Sequence, residues 1–234
     1  MRFVVTGGAG FVGSHLVKLL VKEGHNVIVI DNLHTGKKDN LIGVMDKIEF
    51  IEKDIRDYNS IEKYMKNIDG VFHQAALTIV QDSFTNPEEY HDVNVNGTEN
   101  IFKIDQKNKI KVVFASSSSV YGHQENIPIS EDAEKNPINP YGKTKLDDEV
   151  LMKKYSALGT NIIGLRYFNI FGEGQTIDYA GVITKFIDRI KDKKEPIIFG
   201  DGKQIRDFIY VEDIVKFNLL AMNSQESNLL VNVG

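Results

Sequence analysis

The 234 residues carry 28 basic and 33 acidic side chains for a net charge of −5, with 41% hydrophobic and 26% charged residues. This is ordinary globular usage in a chain long enough to bury a sizeable core; it excludes a disordered polymer, and an acidic balance without a basic block argues against nucleic acid as a partner. The absence of cysteine excludes disulfides, thiolate metal sites and a cysteine nucleophile and suits the cytoplasm, while no apolar run approaches the ~18 residues of a membrane helix, so neither metal nor membrane is expected.

In chain order, the short apolar runs at 3–5, 27–30, 48–51, 70–73, 112–115 and 162–165 read as strands. Between them the 3.6-residue period predicts helices over 11–23, 60–66, 87–107 and 141–158. Strands that are apolar throughout are buried on both faces, and alternation with helices predicts an α/β fold with a doubly wound parallel sheet of the Rossmann type. The polar stretch 122–140, with Pro128, Pro137 and Pro140, predicts a long functional loop. Beyond about residue 166 the alternation weakens. A loop at 169–178, a helix at 182–191 and short strands at 197–199 and 208–211 are expected. The division is therefore a dinucleotide-binding domain at 1–165 and a small substrate-binding region at 166–234. Residues 229–233 look like a buried strand one residue before the end, which predicts that this region is incomplete at its C-terminus.

Gly7-Gly8-Ala9-Gly10-Phe11-Val12-Gly13 joins the first strand to the first helix. Glycine there permits a tight turn, close backbone approach to a pyrophosphate and close helix–strand packing, and the helix N-terminus supplies unpaired N–H groups. An isolated GxGxxG is a weak signal; this one has the required strand before it and helix after it. Asp31 follows the second strand at the distance expected of an acid that grips the adenosine ribose, which favours NAD over NADP, a preference that Lys37 and Lys38 soften. Asp54, after the third strand, either faces the adenine or is a solvated loop acid.

Tyr141 and Lys145 lie four residues apart on one helix face. An ammonium beside a phenol lowers a pKa that is otherwise near 10, and the pair can then take a proton from a sugar hydroxyl. Taken alone, a Tyr–x–x–x–Lys spacing is common by chance. Here the run Ser116-Ser117-Ser118-Ser119 ends the fifth strand, at the sheet edge where ligands of open α/β folds bind. A hydroxyl there orients a substrate; as a lone feature the run reads more readily as a polar turn.

In combination these segments resemble the extended short-chain dehydrogenase/reductase family, in its NAD-dependent nucleotide-sugar epimerase/dehydratase branch. The resemblance spans nearly the whole chain. It is carried by TGGAGFVGSHL at 6–16, Asp31-Asn32, HQAA at 73–76, Asn94-x-x-Gly97-Thr98, SSSSVYG at 116–122, PYGKTK at 140–145, RYFNIFG at 166–172 and GDGKQIRDFIYVEDIV at 200–215. It implies NAD as cofactor, contacted by Gly7, Gly10, Phe11, Val12, Asp31, Asn32, Gly36, Asp54, Ile55, Ala75 and Ala76 together with Tyr141 and Lys145. It implies Ser117, Tyr141 and Lys145 as the catalytic group, with Ser117 and Tyr141 also touching substrate. Asn169, Val182 and Arg206 are implied on the substrate side, Asn169 and Arg206 at the nucleotide diphosphate. A guanidinium offers paired donors to phosphate oxygens, and the following Asp207-Phe208-Ile209 fits the family pattern closely enough to favour that role for Arg206 over an ordinary surface arginine. His73 needs no role beyond packing.

The dehydratases and decarboxylases of this family carry an acid two residues past the catalytic hydroxyl, where this chain has Ser119. The run RYFNIFGEGQ, followed by Tyr179-Ala180-Gly181-Val182-Ile183, is most similar to 4-epimerases of UDP-glucose and UDP-N-acetylglucosamine, and ASSSSVYG is also similar to UDP-glucuronate 4-epimerases. The implied activity is 4-epimerisation of a UDP-linked sugar through a transient 4-keto sugar, by a homodimer pairing the helices near 88–107 and 141–158. A nucleotide-sugar reductase, a dehydratase and a non-catalytic dinucleotide-binding protein are the competing readings.

Overall fold

In the computed structural model, which describes residues 1–175 and 181–234, the apolar runs become the strands of one sheet. The strands are β1 (Arg2–Thr6), β2 (Asn26–Asp31), β3 (Ile48–Glu52), β4 (Gly70–His73), β5 (Lys111–Ser117), β6 (Ile162–Tyr167), β7 (Asn169–Phe171), β8 (Phe208–Tyr210) and β9 (Leu229–Val233). Seven of them form a parallel sheet in the order β3-β2-β1-β4-β5-β6-β9, and β7 and β8 pair in a separate short parallel ladder. The helices are α1 (Phe11–Lys22), α2 (Tyr58–Glu62), α3 (Val80–Thr85), α4 (Pro87–His91), α5 (Gly97–Asn108), α6 (Pro140–Ala157), α7 (Val182–Lys191) and α8 (Val211–Asn223).

The apolar runs are continuous because both sheet faces are covered. Phe3, Val5, Val27, Val29, Phe72 and Val113 face one core with Leu16 and Leu20 of α1 and Ile214 and Met222 of α8. Their neighbours Val4, Ile28, Ile30, Val71, Val112 and Phe114 face the other core with Ile61, Ile101, Phe102, Met152 and Tyr155 from α2, α5 and α6. Successive strand residues alternate between the two cores, as the period of two demands. The result is a Rossmann-type three-layer α/β/α architecture. Chain direction across the sheet switches between β1 and β4, so the segments leaving those two strands diverge and open a crevice at the carboxyl edge.

Strand positions in the first 165 residues are where the periodicity places them. The helix expected over 87–107 is real but interrupted: α4 and α5 are joined by a π-turn at Asp92–Asn96, a feature that concentrates at functional sites. Three expectations for the later region need correction. The loop expected at 169–178 begins as a strand, β7, because Asn169–Phe171 pairs in register with Phe208–Tyr210. Residues 197–199 form no strand; Ile197, Ile198 and Phe199 are 48%, 64% and 80% exposed, and a β-prone run without a neighbouring edge has nothing to pair with. The strand expected over 208–211 stops at Tyr210, because Val211 opens α8 and packs inward with Ile214, Val215, Asn218 and Met222 at helical spacing. β9, by contrast, is the strand expected at 229–233, and it pairs in register with β6, from Ile163↔Leu229 to Tyr167↔Val233. The main sheet thus takes its seventh strand from the region after residue 166.

Candidate active site

A cleft of about 430 Å³ lies along the carboxyl edge of the sheet, and the glycine loop forms one wall. Gly7 sits at φ +67°, where a side chain is strained, and a Cβ there would lie 2.7 Å from Ala75 Cα. A Cβ on Gly13 would run into the Gly7 carbonyl, with Gly8 Cα 2.8 Å away. These two glycines let the loop fold against α1 and the residues leaving β4. Gly10 differs: a Cβ there would meet only Gly7 O, at 3.2 Å, and otherwise project into open space. Gly10 is also the N-cap of α1 and offers no side-chain acceptor. The first N–H groups of α1 therefore face the cleft with no side-chain cap among the described residues, which is what a pyrophosphate requires. The cradle fits a dinucleotide.

At the far end of the cleft Asp31 is buried, and its two oxygens accept from Ala9 N at 2.9 Å and Leu33 N at 2.8 Å. Burial pushes its carboxyl up, and the two backbone N–H groups pull it back. Asp31 thus clasps the glycine loop while keeping lone pairs for a ribose. Gly36 does not line the cleft; it packs behind, where a Cβ would come within 2.9 Å of Asp31 Oδ1. Asn32 and Asp54 line the cleft, joined by Asn32 Nδ2 donating to Asp54 Oδ2 at 2.9 Å. The Arg56 fork holds the Asp54 carboxyl down to about 2, through bonds of 3.0 and 2.8 Å. Lys37 borders the cleft, whereas Lys38 turns to Glu52 at 3.0 Å and lies over the Phe50 ring.

Ser117, Tyr141 and Lys145 line the other end of the same cleft. The four-serine run resolves by strand alternation. Ser116 Oγ donates to buried Glu149 at 2.7 Å, while Ser117 Oγ accepts from Ser119 N at 3.1 Å and retains its own hydrogen. Asn139 and Pro140 start α6: Asn139 Oδ1 accepts from Gly142 N at 2.7 Å, and Pro140 occupies the first turn. That places Tyr141 at the mouth of the helix. Gly142 is what allows it there, because a Cβ would lie 2.6 Å from Ser119 O. The Tyr141 ring packs with Leu77, Tyr90 and Val93 and is 9% exposed. One turn further, Lys145 is almost wholly buried, and its Nζ donates to Asp148 Oδ2 at 3.2 Å.

Behind this pair lies a sealed polar chain. His73 Nδ1 is 2.6 Å from Thr6 Oγ1, and its Nε2 is 2.8 Å from Thr98 Oγ1. Burial, with the nearby Lys145 ammonium, pushes the imidazole down to about 3, so it stays neutral. His73 is a packed strand-end residue, as expected, and it also bridges β1 to α5. Asn94, in the π-turn, bonds both Leu77 N (2.8 Å) and Leu77 O (3.0 Å) and donates to Thr144 Oγ1 at 3.0 Å, tying α6 to the cleft wall.

Ile55, Ala75, Ala76, Phe11, Val12 and Asn169 also line the cleft. Asn169 donates to Asp207 O at 2.8 Å across the β7–β8 ladder. With Gly36 behind the cleft, Val182 and Arg206 are the other implied residues that are not brought in. Val182 opens α7 and is 40% exposed, next to Gly181, which does reach the cleft. Arg206 is exposed and donates to the carbonyl of its neighbour Ile205. Tyr179 and Ala180 lie outside the described residues. Sequence reasoning missed Arg56, Asn94 and Asp148; only the partners of Asn94 in the Asn94-x-x-Gly97-Thr98 motif gave any signal.

Together, fold and cleft define a dinucleotide-binding protein with a serine, a tyrosine and a lysine at the reacting end. Residues 3–234 match the family described as NAD dependent epimerase/dehydratase family, and the chain belongs to it; its cofactor is NAD. A protein of Methanocaldococcus jannaschii provisionally named a UDP-glucose 4-epimerase is 46% identical over 236 residues, 99% of this chain and 76% of the relative. The structure of UDP-N-acetylglucosamine 4-epimerase from Methanobrevibacter ruminantium, in complex with UDP-N-acetylmuramic acid, superposes with a TM-score of 0.95 at 40% identity, covering 100% of this chain and 76% of that one. UDP-glucose 4-epimerase with UDP-glucose from Thermotoga maritima gives 0.94 at 36% identity, over 100% and 77%. No described helix is long and apolar enough to cross a membrane.

Proposed function

We propose that this chain is a nucleotide-sugar 4-epimerase acting on a UDP-linked hexose or N-acetylhexosamine. The observation that carries the reading is that one cleft joins the glycine cradle, with Asp31 and Asp54 at its far end, to Ser117, Tyr141 and Lys145. Bound NAD supplies the acceptor, and then the donor, of the hydride at sugar C4. The chain supplies the proton chemistry and the geometry. Tyr141, one helical turn from the buried Lys145 ammonium, takes the proton of the 4-hydroxyl and later returns it. Ser117 Oγ, already accepting from Ser119 N, donates toward the same oxygen. Phe11, Val12, Ile55, Ala75 and Ala76 flank the dinucleotide, and Asn169 takes the substrate diphosphate. Val182 and Arg206 are assigned to the substrate side by resemblance alone. Ser119, whose backbone N–H is turned to Ser117, occupies the place of the acid that dehydration needs, which favours epimerisation.

The division into a cofactor domain (1–165) and a substrate region (166–234), a homodimer built on α5 and α6, and a cytoplasmic location belong to the same reading. The test is gentle purification followed by mass spectrometry for retained NAD, then incubation with UDP-glucose and UDP-N-acetylglucosamine without added cofactor. Conversion to the C4 epimers with no net change in nicotinamide absorbance is expected. Stoichiometric consumption of reduced cofactor would show a reductase instead. NAD binding without turnover of either sugar nucleotide would leave only a dinucleotide-binding protein. Light scattering at twice the chain mass is the expected outcome for the dimer.

A further inference from the structure

At the carboxyl edge of the sheet the ends of β4, β5 and β6 lie side by side. Ser117 is the register partner of Tyr167, so the two side chains point to the same face of the sheet, the one covered by α1 and α8. The glycine loop leads into α1 and so opens onto that face as well. Tyr141 and Lys145 reach the cleft from α6, which packs on the opposite face. The path from the glycine cradle to Ser117 therefore crosses Gln74 and Tyr167, which both line the cleft.

Asn218 of α8 joins these two residues from below. It is wholly buried and does not itself line the cleft. Its Nδ2 donates to Ile214 O at 2.8 Å and to Tyr167 Oη at 2.7 Å. The hydroxyl hydrogen of Tyr167 is left for Gln74 Oε1 at 3.2 Å or Asn218 Oδ1 at 3.0 Å. Gln74 Nε2 donates to Asn218 Oδ1 at 3.0 Å, which closes the ring. Burial pushes the Tyr167 hydroxyl up to about 12, so it keeps its hydrogen for this ring. The three residues stand 51, 93 and 144 positions apart in the chain, and the core around Tyr167 is otherwise apolar, with Ile214, Val215 and Val233. Packing alone does not call for an amide there, because a leucine fills the same space without burying polar atoms.

The ring leaves something over at one member. Gln74 has a second N–H on Nε2 and a second lone pair on Oε1, and it is the half-buried residue of the three, at the surface of the cleft. A donor and an acceptor on one fixed amide are the complement of a carboxamide, the polar substituent of a nicotinamide ring. We propose that Asn218 is a positioning residue for the nicotinamide half of the cofactor, which from inside the core fixes Gln74 and Tyr167 so that the Gln74 amide meets the carboxamide. The inference rests on the reading of the Ser117–Tyr141 end of the cleft as the reacting end. A glutamine has three rotatable bonds and loses much freedom when it is ordered. Here the ring has ordered it in advance, so binding loses less, an advantage of about tenfold in affinity.

The test compares two ligands and needs no turnover. The full chain, freed of retained nucleotide, is titrated calorimetrically with NAD and with ADP-ribose, which lacks only the nicotinamide ring. The parent is expected to bind NAD more tightly than ADP-ribose. In Asn218→Leu that preference falls by about tenfold, while the Kd for ADP-ribose changes less than about twofold. Equal weakening of both ligands would mean that the ring only holds α8 to the sheet, and it overturns the proposal. An unchanged preference, or a parent with none, overturns it too. Should Asn218→Leu not fold, Gln74→Met at the half-buried end of the ring is titrated in its place; the preference again falls by about tenfold, and an unchanged preference refutes the proposal. Neither titration contains a sugar nucleotide. A lost preference in a chain that epimerises nothing removes the epimerase reading and leaves this one standing, whereas epimerisation with an unmoved preference does the reverse.

Discussion

Substitution of Gly10 and Gly13 by alanine separates what the glycine loop does for the fold from what it does for the cofactor. The two residues are three apart on one turn, yet their surroundings differ. A Cβ on Gly13 meets backbone on several sides, with the Gly7 carbonyl carbon and Gly8 Cα both at 2.8 Å, so the loop or α1 must move. Backbone cannot swing aside as a side chain can, and overpacking of this kind costs about 1–3 kcal/mol. A Cβ on Gly10 meets only Gly7 O, at 3.2 Å, which a few tenths of an ångström of adjustment relieves, and the φ of −77° suits alanine. The stability cost at this N-cap is accordingly below about 1 kcal/mol. The same methyl group, however, occupies the space above the free N–H groups of α1. Losing one charge-assisted bond to the pyrophosphate costs about 2 kcal/mol, or roughly thirtyfold in Kd. Urea unfolding and calorimetric titration with NAD read the two effects apart. Gly10→Ala is expected to unfold within about 1 kcal/mol of the parent and to bind NAD roughly thirtyfold more weakly, while Gly13→Ala loses stability first. If Gly10→Ala binds NAD as the parent does, the space above Gly10 is not where the pyrophosphate lies, and the placement of the cofactor is wrong.

Three further outcomes are expected. Tyr141→Phe lowers turnover by about 10²-fold or more while NAD binding is retained, since the ring packing with Leu77 and Tyr90 survives; a steady-state assay with a parallel binding titration checks both. Glu149→Gln leaves Arg166, bonded at 2.8 Å to each Glu149 oxygen inside the protein, as an uncompensated buried charge, and costs about 3–5 kcal/mol in denaturant unfolding; a loss under about 1 kcal/mol would contradict this. His73 has a folded pKa of about 3 against 6.5 when free, so the unfolded chain binds the extra proton between those values and the contribution of His73 to stability falls as pH drops through that window. His73→Gln removes that slope, a difference of about 1.4 kcal/mol per pH unit between pH ~6 and ~4, measurable by unfolding at several pH values.

The chemistry of the cleft was legible where a residue type is demanded by local geometry. Gly13 is required by backbone packing within ten residues and Gly7 by its own positive φ, Asp31 by the end of one strand, and Tyr141 and Lys145 by one helical turn; each leaves a mark in a short stretch of sequence. Arg56 and Asp148 left none that a short window shows, and Asn94 only its place in the Asn94-x-x-Gly97-Thr98 motif. Arg56 matters through Asp54 and Asp92, and Asn94 through Leu77 and Thr144, the latter fifty residues away. Asp148 reads as one more acid in the run Lys145-Leu146-Asp147-Asp148-Glu149, and only its packing distinguishes it from its half-buried neighbour Asp147.

The sequence alone determined the parallel α/β class, because strands buried on both faces must be apolar throughout. It also determined the cofactor loop, because only glycine tolerates that turn and that contact. Tertiary structure decided which of the later segments join the main sheet. Residues 197–199 and 229–233 are similar apolar, β-prone runs, yet the first has no edge to pair with and is exposed, while the second lies against β6 and becomes its seventh strand. It also decided which polar groups are charged inside the molecule, since burial depends on what the rest of the chain packs around a residue and not on the residues beside it.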